Sequence, residues 1–247
     1  MSFQPHVVLE WLAYAIGGSM YWRTRNLAAQ PPEASRRLAI AAGAVGGALL
    51  GAKLLYMLDY WSALQGAPMS AWVAGKTVIG GLLGGVLGVE VAKLNVGWTR
   101  STGDAFVWPV LIGLALARLG CQLSGAEDLT YGIPTTLPWG WDYGDGIARH
   151  PTALYEIGGL ALIALLVRRG PPRAAEGDRF RFFMVLYLLL RLALDFLKPP
   201  HGQPIAGMLV PDMHAGLSAM QWACIAGLAY YAGAIRRWFG RDEARHG

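Results

Sequence analysis

The sequence predicts an all-α polytopic membrane protein: seven transmembrane helices forming a single integral membrane domain over residues 1–247. Three observations predict it. The chain is 54% hydrophobic and only 15% charged. Apolar runs of roughly 20 residues, about what one helix needs to cross a bilayer, recur along its length. The basic residues are concentrated in alternate loops.

The helices are expected at about 6–22, 38–60, 75–95, 104–123, 152–167, 181–198 and 217–235. Arg23, Arg25, Arg36 and Arg37 lie between the first and second, and Lys93 and Arg100 between the third and fourth. Arg168, Arg169, Arg173, Arg179 and Arg181 lie between the fifth and sixth; Arg236, Arg237, Arg241 and Arg245 follow the seventh. The alternate loops, 61–74, 124–151 and 199–216, hold little beyond Arg149. This asymmetry predicts an N-terminus outside, a cytoplasmic C-terminus and an outer loop at 124–151. The formal charge of +5 is then a topology signal and a contact for anionic membrane lipids, not a nucleic-acid footprint. The first apolar segment, His6 to Trp22, lacks a basic leader and a small-residue cleavage site, so no separate signal peptide is expected.

Helix three carries glycines at 80, 81, 84, 85 and 88. Such small-residue spacing lets a neighbouring helix approach closely; the other use of Gly80 and Gly81 is room for a lipid group against bare backbone. Glu90 and Lys93, one turn apart, should pair. Gly103-Asp104 reads as an N-cap for helix four, whose last turns carry Arg118. Snorkelling to the interface is one reading of Arg118; an anion clamp is the other. The loop that follows contains Glu127, Asp128, Tyr131, Trp139, Trp141 and Tyr143. It is expected to be long and structureless, with aromatics at headgroup level and a function of its own.

Pro151 fits the first turn of helix five. Glu156 follows and reads as a capping carboxylate, a buried base, or a partner that orients an arginine. In helix six Tyr187, Arg191 and Asp195 are spaced by four and share one face over ~12 Å. Lys198 lies close to that face. A polar stripe on an apolar membrane helix turns toward the bundle interior or a wet cavity. Cys121 and Cys224 have no spacing motif and are expected to be small buried groups. The dispersed His6, His150, His201 and His214 argue for no metal site, and no cofactor is expected.

Several pieces together carry a family resemblance. They are Gly80-Gly81-Leu, Arg118-Leu-Gly120, Tyr131-Gly132-Ile-Pro134-Thr-Thr-Leu-Pro138-Trp-Gly, His150-Pro-Thr-Ala-Leu-Tyr155-Glu156, the Tyr187/Arg191/Asp195 stripe, and Gly216-Leu-Ser-Ala-Met-Gln221-Trp. In this order and spacing, over roughly residues 75–235, the chain resembles the bacterial prolipoprotein diacylglyceryl transferases. The resemblance implies a seven-helix enzyme of the inner membrane. It would transfer the diacylglyceryl group of phosphatidylglycerol to the lipobox cysteine of a preprolipoprotein and release glycerol phosphate. The family's two essential arginines would fall on Arg118 and Arg191, its helix-five glutamate on Glu156 and its helix-six tyrosine on Tyr187. Gly80, Gly81, Gly120, His150, Asp195 and Gln221 would line the substrate.

Three positions depart from the family pattern. Ile79 stands where a histidine usually precedes the glycine turn, Cys121 stands for a common asparagine, and Asp195 for a glutamate. The expected chemistry places Arg118 and Arg191 on the phosphate, where a guanidinium offers planar bidentate recognition. Glu156 is the first candidate to deprotonate the thiol, with Tyr187 or His150 behind it, and Asp195 orients Arg191. A relative with a different acceptor, and a non-catalytic lipid-binding or transport protein, are the rival readings.

Overall fold

Glycine sets how the two longest apolar helices meet. The computed structural model describes residues 5–125, 130–172, 174–198 and 210–240. In it α2 (Ala34–Asp59) and α5 (Val78–Val96) cross with their backbones in contact. Gly43, Gly47 and Gly51 face Gly88, Gly84 and Gly80. A Cβ on Gly47 would overlap the carbonyl oxygen of Gly84, and one on Gly51 that of Gly80. The close-approach reading of Gly80 is thus the one realised. Two short helices, α3 (Trp61–Gln65) and α4 (Met69–Ala74), connect the pair. Lys53 of α2 closes α4 by donating to the carbonyls of Trp72, Val73 and Gly75 at 3.0, 2.6 and 2.6 Å, as a cation at a helix C-terminus does.

The remaining helices are α1 (Pro5–Thr24), α6 (Val107–Ser124), α7 (Thr152–Arg169), α8 (Asp178–Asp195), α9 (Ala219–Tyr230) and α10 (Ala232–Phe239). α1 packs along α6, tied at one end by Thr24 Oγ1 donating to the Ala105 carbonyl at 2.7 Å. α6, α7, α8 and α9 pack in sequence around Val107, Leu111, Leu160, Phe183, Met184 and Leu188, with Ile79 joining from α5. The outer surface is apolar: Leu94 on α5 is 81% exposed, and Leu38, Leu49 and Trp11 are similarly bare. Apolar surface on this scale needs a lipid or protein cover. Among the described residues, Ala34–Asp59, Val78–Val96 and Gly103–Ser124 are long and apolar enough to cross a membrane.

Several boundaries differ from the sequence reading. Helix seven was expected from 217, but Leu217–Ser218 (β4) pairs antiparallel with Met213–His214 (β3), and the helix breaks at Tyr231 between α9 and α10. The 124–151 loop is not structureless among its described residues. Trp141–Asp142 (β1) and Ala148–Arg149 (β2) form a hairpin, with Trp141 opposite Arg149. Asp104 does not cap its own helix. Its carboxylate accepts from Gly177 N at 3.1 Å and Phe180 N at 2.9 Å, capping α8 instead, while 103–106 forms a 3-10 turn. Glu90 and Lys93 do pair, at 3.0 Å, and both cysteines are buried. Glu127, Asp128, Arg173, His201, Arg241 and Arg245 lie outside the described residues.

At the arginine-rich end the elements are latched by buried or shared acids. Asp178 accepts from Arg181 at 2.9 Å, Arg237 at 2.5 Å and Trp238 Nε1 at 2.9 Å, joining α8 to α10. Glu176 accepts from Arg100 and from Ser101 N.

Candidate active site

The i, i+4 spacing on α8 stacks Tyr187, Arg191 and Asp195 on one face. That face is inward: the three residues are 0%, 3% and 5% exposed. α7 brings Glu156 from just past its first turn, and α6 brings Arg118 from its last two turns. The three helices converge on one carboxylate. The Tyr187 hydroxyl donates to Glu156 Oε1 at 2.7 Å. Arg191 Nη1 donates to Oε2 at 2.7 Å, and Arg118 Nε reaches the same oxygen at 2.8 Å. Two guanidiniums this close repel, and the shared carboxylate is what holds them together. Arg118 Nη1 also lies 3.7 Å from Cys121 Sγ.

Asp195 stands at the edge of this cluster. Its Oδ1 is 3.9 Å from Arg191 Nη2, while its Oδ2 accepts from Ser218 Oγ at 2.9 Å. Ser218 caps α9 through a reciprocal capping box with Gln221, the S-x-x-Q arrangement that satisfies two orphan donors at once. Met220, in the same turn, sets its Sδ 3.4 Å from Arg191 Nη2. Fully buried Asp59, at the end of α2, accepts from Met220 N at 3.0 Å. The start of α9 is therefore held against Arg191 by acids from two other helices. Arg191 Nε, also buried, finds no hydrogen-bond partner among the described residues. A buried guanidinium donor left open beside these groups marks a place for another acceptor.

The loop after α6 roofs the cluster. Ile133 N donates to the Leu197 carbonyl at 2.8 Å, Gly132 N to that of His150 at 2.8 Å, and Thr152 Oγ1 to that of Thr130 at 2.7 Å. These bonds pin the roof to the end of α8 and the start of α7. Arg149 lies under the Tyr131 ring at 4.9 Å and grips Asp145 with both terminal nitrogens, at 2.7 and 2.6 Å. That grip is the main reason the Asp145 carboxyl sits below its ordinary range. Asp142 Oδ1 closes the hairpin tip by accepting from the backbone of Gly144, Asp145 and Gly146. Tyr155 Oη takes a hydrogen bond from Trp139 Nε1 at 2.8 Å and lies 3.1 Å from His150 Nδ1.

Arg118, Glu156, Tyr187 and Arg191 are thus brought together, with Asp195 adjoining. His150 is in the roof, near the backbone of Leu197. Gln221 is engaged in the α9 cap, and Gly120 is buried two residues past Arg118. Gly80 meets Gly51, and Gly81 faces Ala48 and Ala52. Asp59 was not anticipated, and Ser218 and Met220 were read only as part of the motif from Gly216 to Trp222. Ser218 followed three residues later by Gln221 is a legible capping signal. Asp59 is an acid ending an apolar span, which asks for a partner. Met220 left no signal, because nothing distinguishes it from the other apolar residues of its helix.

This arrangement can be set beside known proteins. The description of the prolipoprotein diacylglyceryl transferase family matches residues 9–236. The chain belongs to that family. The match takes in every residue of the Glu156 cluster. Among its relatives, the phosphatidylglycerol–prolipoprotein diacylglyceryl transferase of Geobacter sulfurreducens is 33% identical over 169 residues, 66% of this chain and 64% of the relative. The protein of the same name from Bordetella parapertussis is 33% identical over 189 residues, 74% of this chain and 69% of the relative. That from Nitratidesulfovibrio vulgaris is 33% identical over 201 residues, 75% and 73%. The chain thus spans between 64% and 73% of the length of these relatives.

Proposed function

We propose that the protein transfers the diacylglyceryl group of phosphatidylglycerol to the lipobox cysteine thiol of a preprolipoprotein, releasing glycerol phosphate. The observation that carries this reading is the pair of buried guanidiniums, Arg118 and Arg191, meeting on one oxygen of Glu156. Beside this pair Arg191 Nε is buried and open. A phosphodiester is the anion that such a pair of planar forks fits.

Thiolate attack on the glyceryl carbon breaks its C–O bond to phosphate, and the departing glycerol phosphate gains negative charge. Arg118 and Arg191 sit where that charge develops and stabilise it. Both oxygens of Glu156 are already committed to Tyr187 and the arginines. Its role in this mechanism is to hold the two forks at one point rather than to receive the thiol proton. Tyr187 orients Glu156, and Asp195 steadies the start of α9 beside Arg191. His150, half-buried in the roof on the loop side, is the group that takes the proton, since thiolate is the nucleophile. Ile79 plays no chemical part: it is fully buried among apolar side chains.

The same reading makes the chain one membrane domain of seven spans in the inner membrane. The N-terminus and the roof loop face outward, and the arginine-rich end faces the cytoplasm. Incubating the purified protein with phosphatidylglycerol and a lipobox peptide, followed by mass spectrometry, tests the activity. The peptide should gain the mass of a diacylglyceryl group on its cysteine. An unmodified peptide, with lipid intact, overturns the assignment.

A further inference from the structure

A cavity of about 340 Å³ opens at the arginine-rich end of the bundle. Its long wall is one face of α5. Gly81, Gly85, Val89 and Lys93 recur at every fourth residue along it. Twelve helical rises from Gly81 to Lys93 make this wall ~18 Å long. Ala44 and Ala48 of α2 line the side next to the glycines, and Phe106, Val110 and Phe180 close the opposite side. The depth of the slot is apolar. Its polar groups gather at the mouth: Lys93, Arg181, Thr99, Ser101 and Thr102, with Glu90 offsetting one charge. The Lys93 side chain is only 8% exposed, so its ammonium sits at the lip of the apolar slot rather than in free solvent.

This cavity is separate from the Glu156 cluster. Along α6, Val110 is eight residues before Arg118, ~12 Å; along α8, Arg181 is ten before Arg191, ~15 Å. Leu111, Phe183 and Met184 belong to the packed core of the same two helices.

We propose that the slot holds one acyl chain of an anionic phospholipid from the leaflet on the arginine-rich side, with the phosphate at Lys93, Arg181 and the three hydroxyls. The depth fits: half of the ~30 Å hydrocarbon layer is the reach of one leaflet's chain. A water-soluble metabolite would meet mainly glycine, alanine, valine and phenylalanine along the slot, and a partner helix is too wide for the volume. Cations beside an apolar groove on this face are what anionic lipids seek. The lipid in this slot is bound in place, not consumed: its phosphate is a leaflet away from the arginine pair.

The test uses the full-length protein in phosphatidylcholine nanodiscs containing phosphatidylglycerol with a photoreactive group at one chain end. After irradiation, crosslinked peptides are mapped by mass spectrometry. Labelling is expected on α5 around Gly81 to Val86, displaced by unlabelled phosphatidylglycerol. Lys93→Gln should lower the preference for the anionic over a zwitterionic probe about fivefold. Gly85→Leu should fill the slot and abolish the label while leaving transfer unchanged. A Cβ at Gly85 makes only ordinary contact, 3.6 Å from Ala44 O and Ala48 Cβ. Should Gly85→Leu fail to fold, Val89→Phe serves as the blocking variant. Equal labelling by the zwitterionic probe, undiminished labelling in the blocked variant, or labelling only around Arg118 and Arg191 overturns the proposal.

Discussion

Arg118 Nε and Arg191 Nη1 meet on a single oxygen of Glu156, at 2.8 and 2.7 Å. Glu156→Gln keeps the shape and removes the charge that reconciles the two cations. Breaking a buried ionic group in this way costs about 3–5 kcal/mol, and the misplaced forks should lower transfer by about 10²–10³. Denaturation midpoints and single-turnover rates check the two effects separately. A Glu156→Gln protein with wild-type stability and rate would mean that the carboxylate does not hold the pair.

Arg118→Lys and Arg191→Lys keep a positive charge but lose the planar fork. Each is expected to cut kcat/KM for phosphatidylglycerol by about 10² or more. Near-normal turnover in the folded lysine variants would show that charge alone suffices.

His150→Gln should reduce transfer by about 10²–10⁴, the usual contribution of a general base. An acceptor peptide with selenocysteine in place of cysteine, already ionised at neutral pH, should recover most of the loss. Equal impairment with both acceptors removes His150 from proton transfer.

A reporter active only outside the inner membrane should be silent when fused after Gly247. The basic loops that follow α1, α5, α7 and α10 are the reason to expect that end in the cytoplasm. Strong reporter activity there would reverse the orientation or change the number of spans.

The roof hairpin should loosen in acid. Arg149 holds the Asp145 carboxyl below its ordinary range, so the folded value lies under the unfolded one of about 3.9. The stabilisation is fully present above that unfolded value and is lost as pH falls toward the folded one. Hydrogen exchange of amides 142–149, corrected for intrinsic rates, should speed up over this interval in wild type. Asp145→Asn should exchange quickly throughout; an Asp145→Asn hairpin as protected as wild type would overturn the linkage.

The arginine pair was legible because charges in apolar helices are rare and must be paired or functional. The four-residue spacing of Tyr187, Arg191 and Asp195 then fixed their common face. That Glu156 would bind both arginines was not legible, since periodicity places a residue on its own helix but not against another. Asp104 shows the same limit: its side chain was read as a local cap and serves the start of α8 instead. The roof hairpin escaped because two-residue strands are too short to alternate visibly. The break at Tyr231 leaves no proline, so the seventh helix read as continuous. The glycines of α5 showed a close approach without saying which helix approaches, and here it is α2.

That glycine contact has a consequence for assembly. Glycine and alanine give up no rotamer freedom when they become buried, so joining α2 to α5 orders backbone but almost no side chains. With nothing to interdigitate, the pair needs no repacking to lock, and it depends on no residue of the arginine cluster. It can therefore close as a self-sufficient hairpin as soon as both helices are in the bilayer. The helices bearing the polar groups would then insert against a wall already standing.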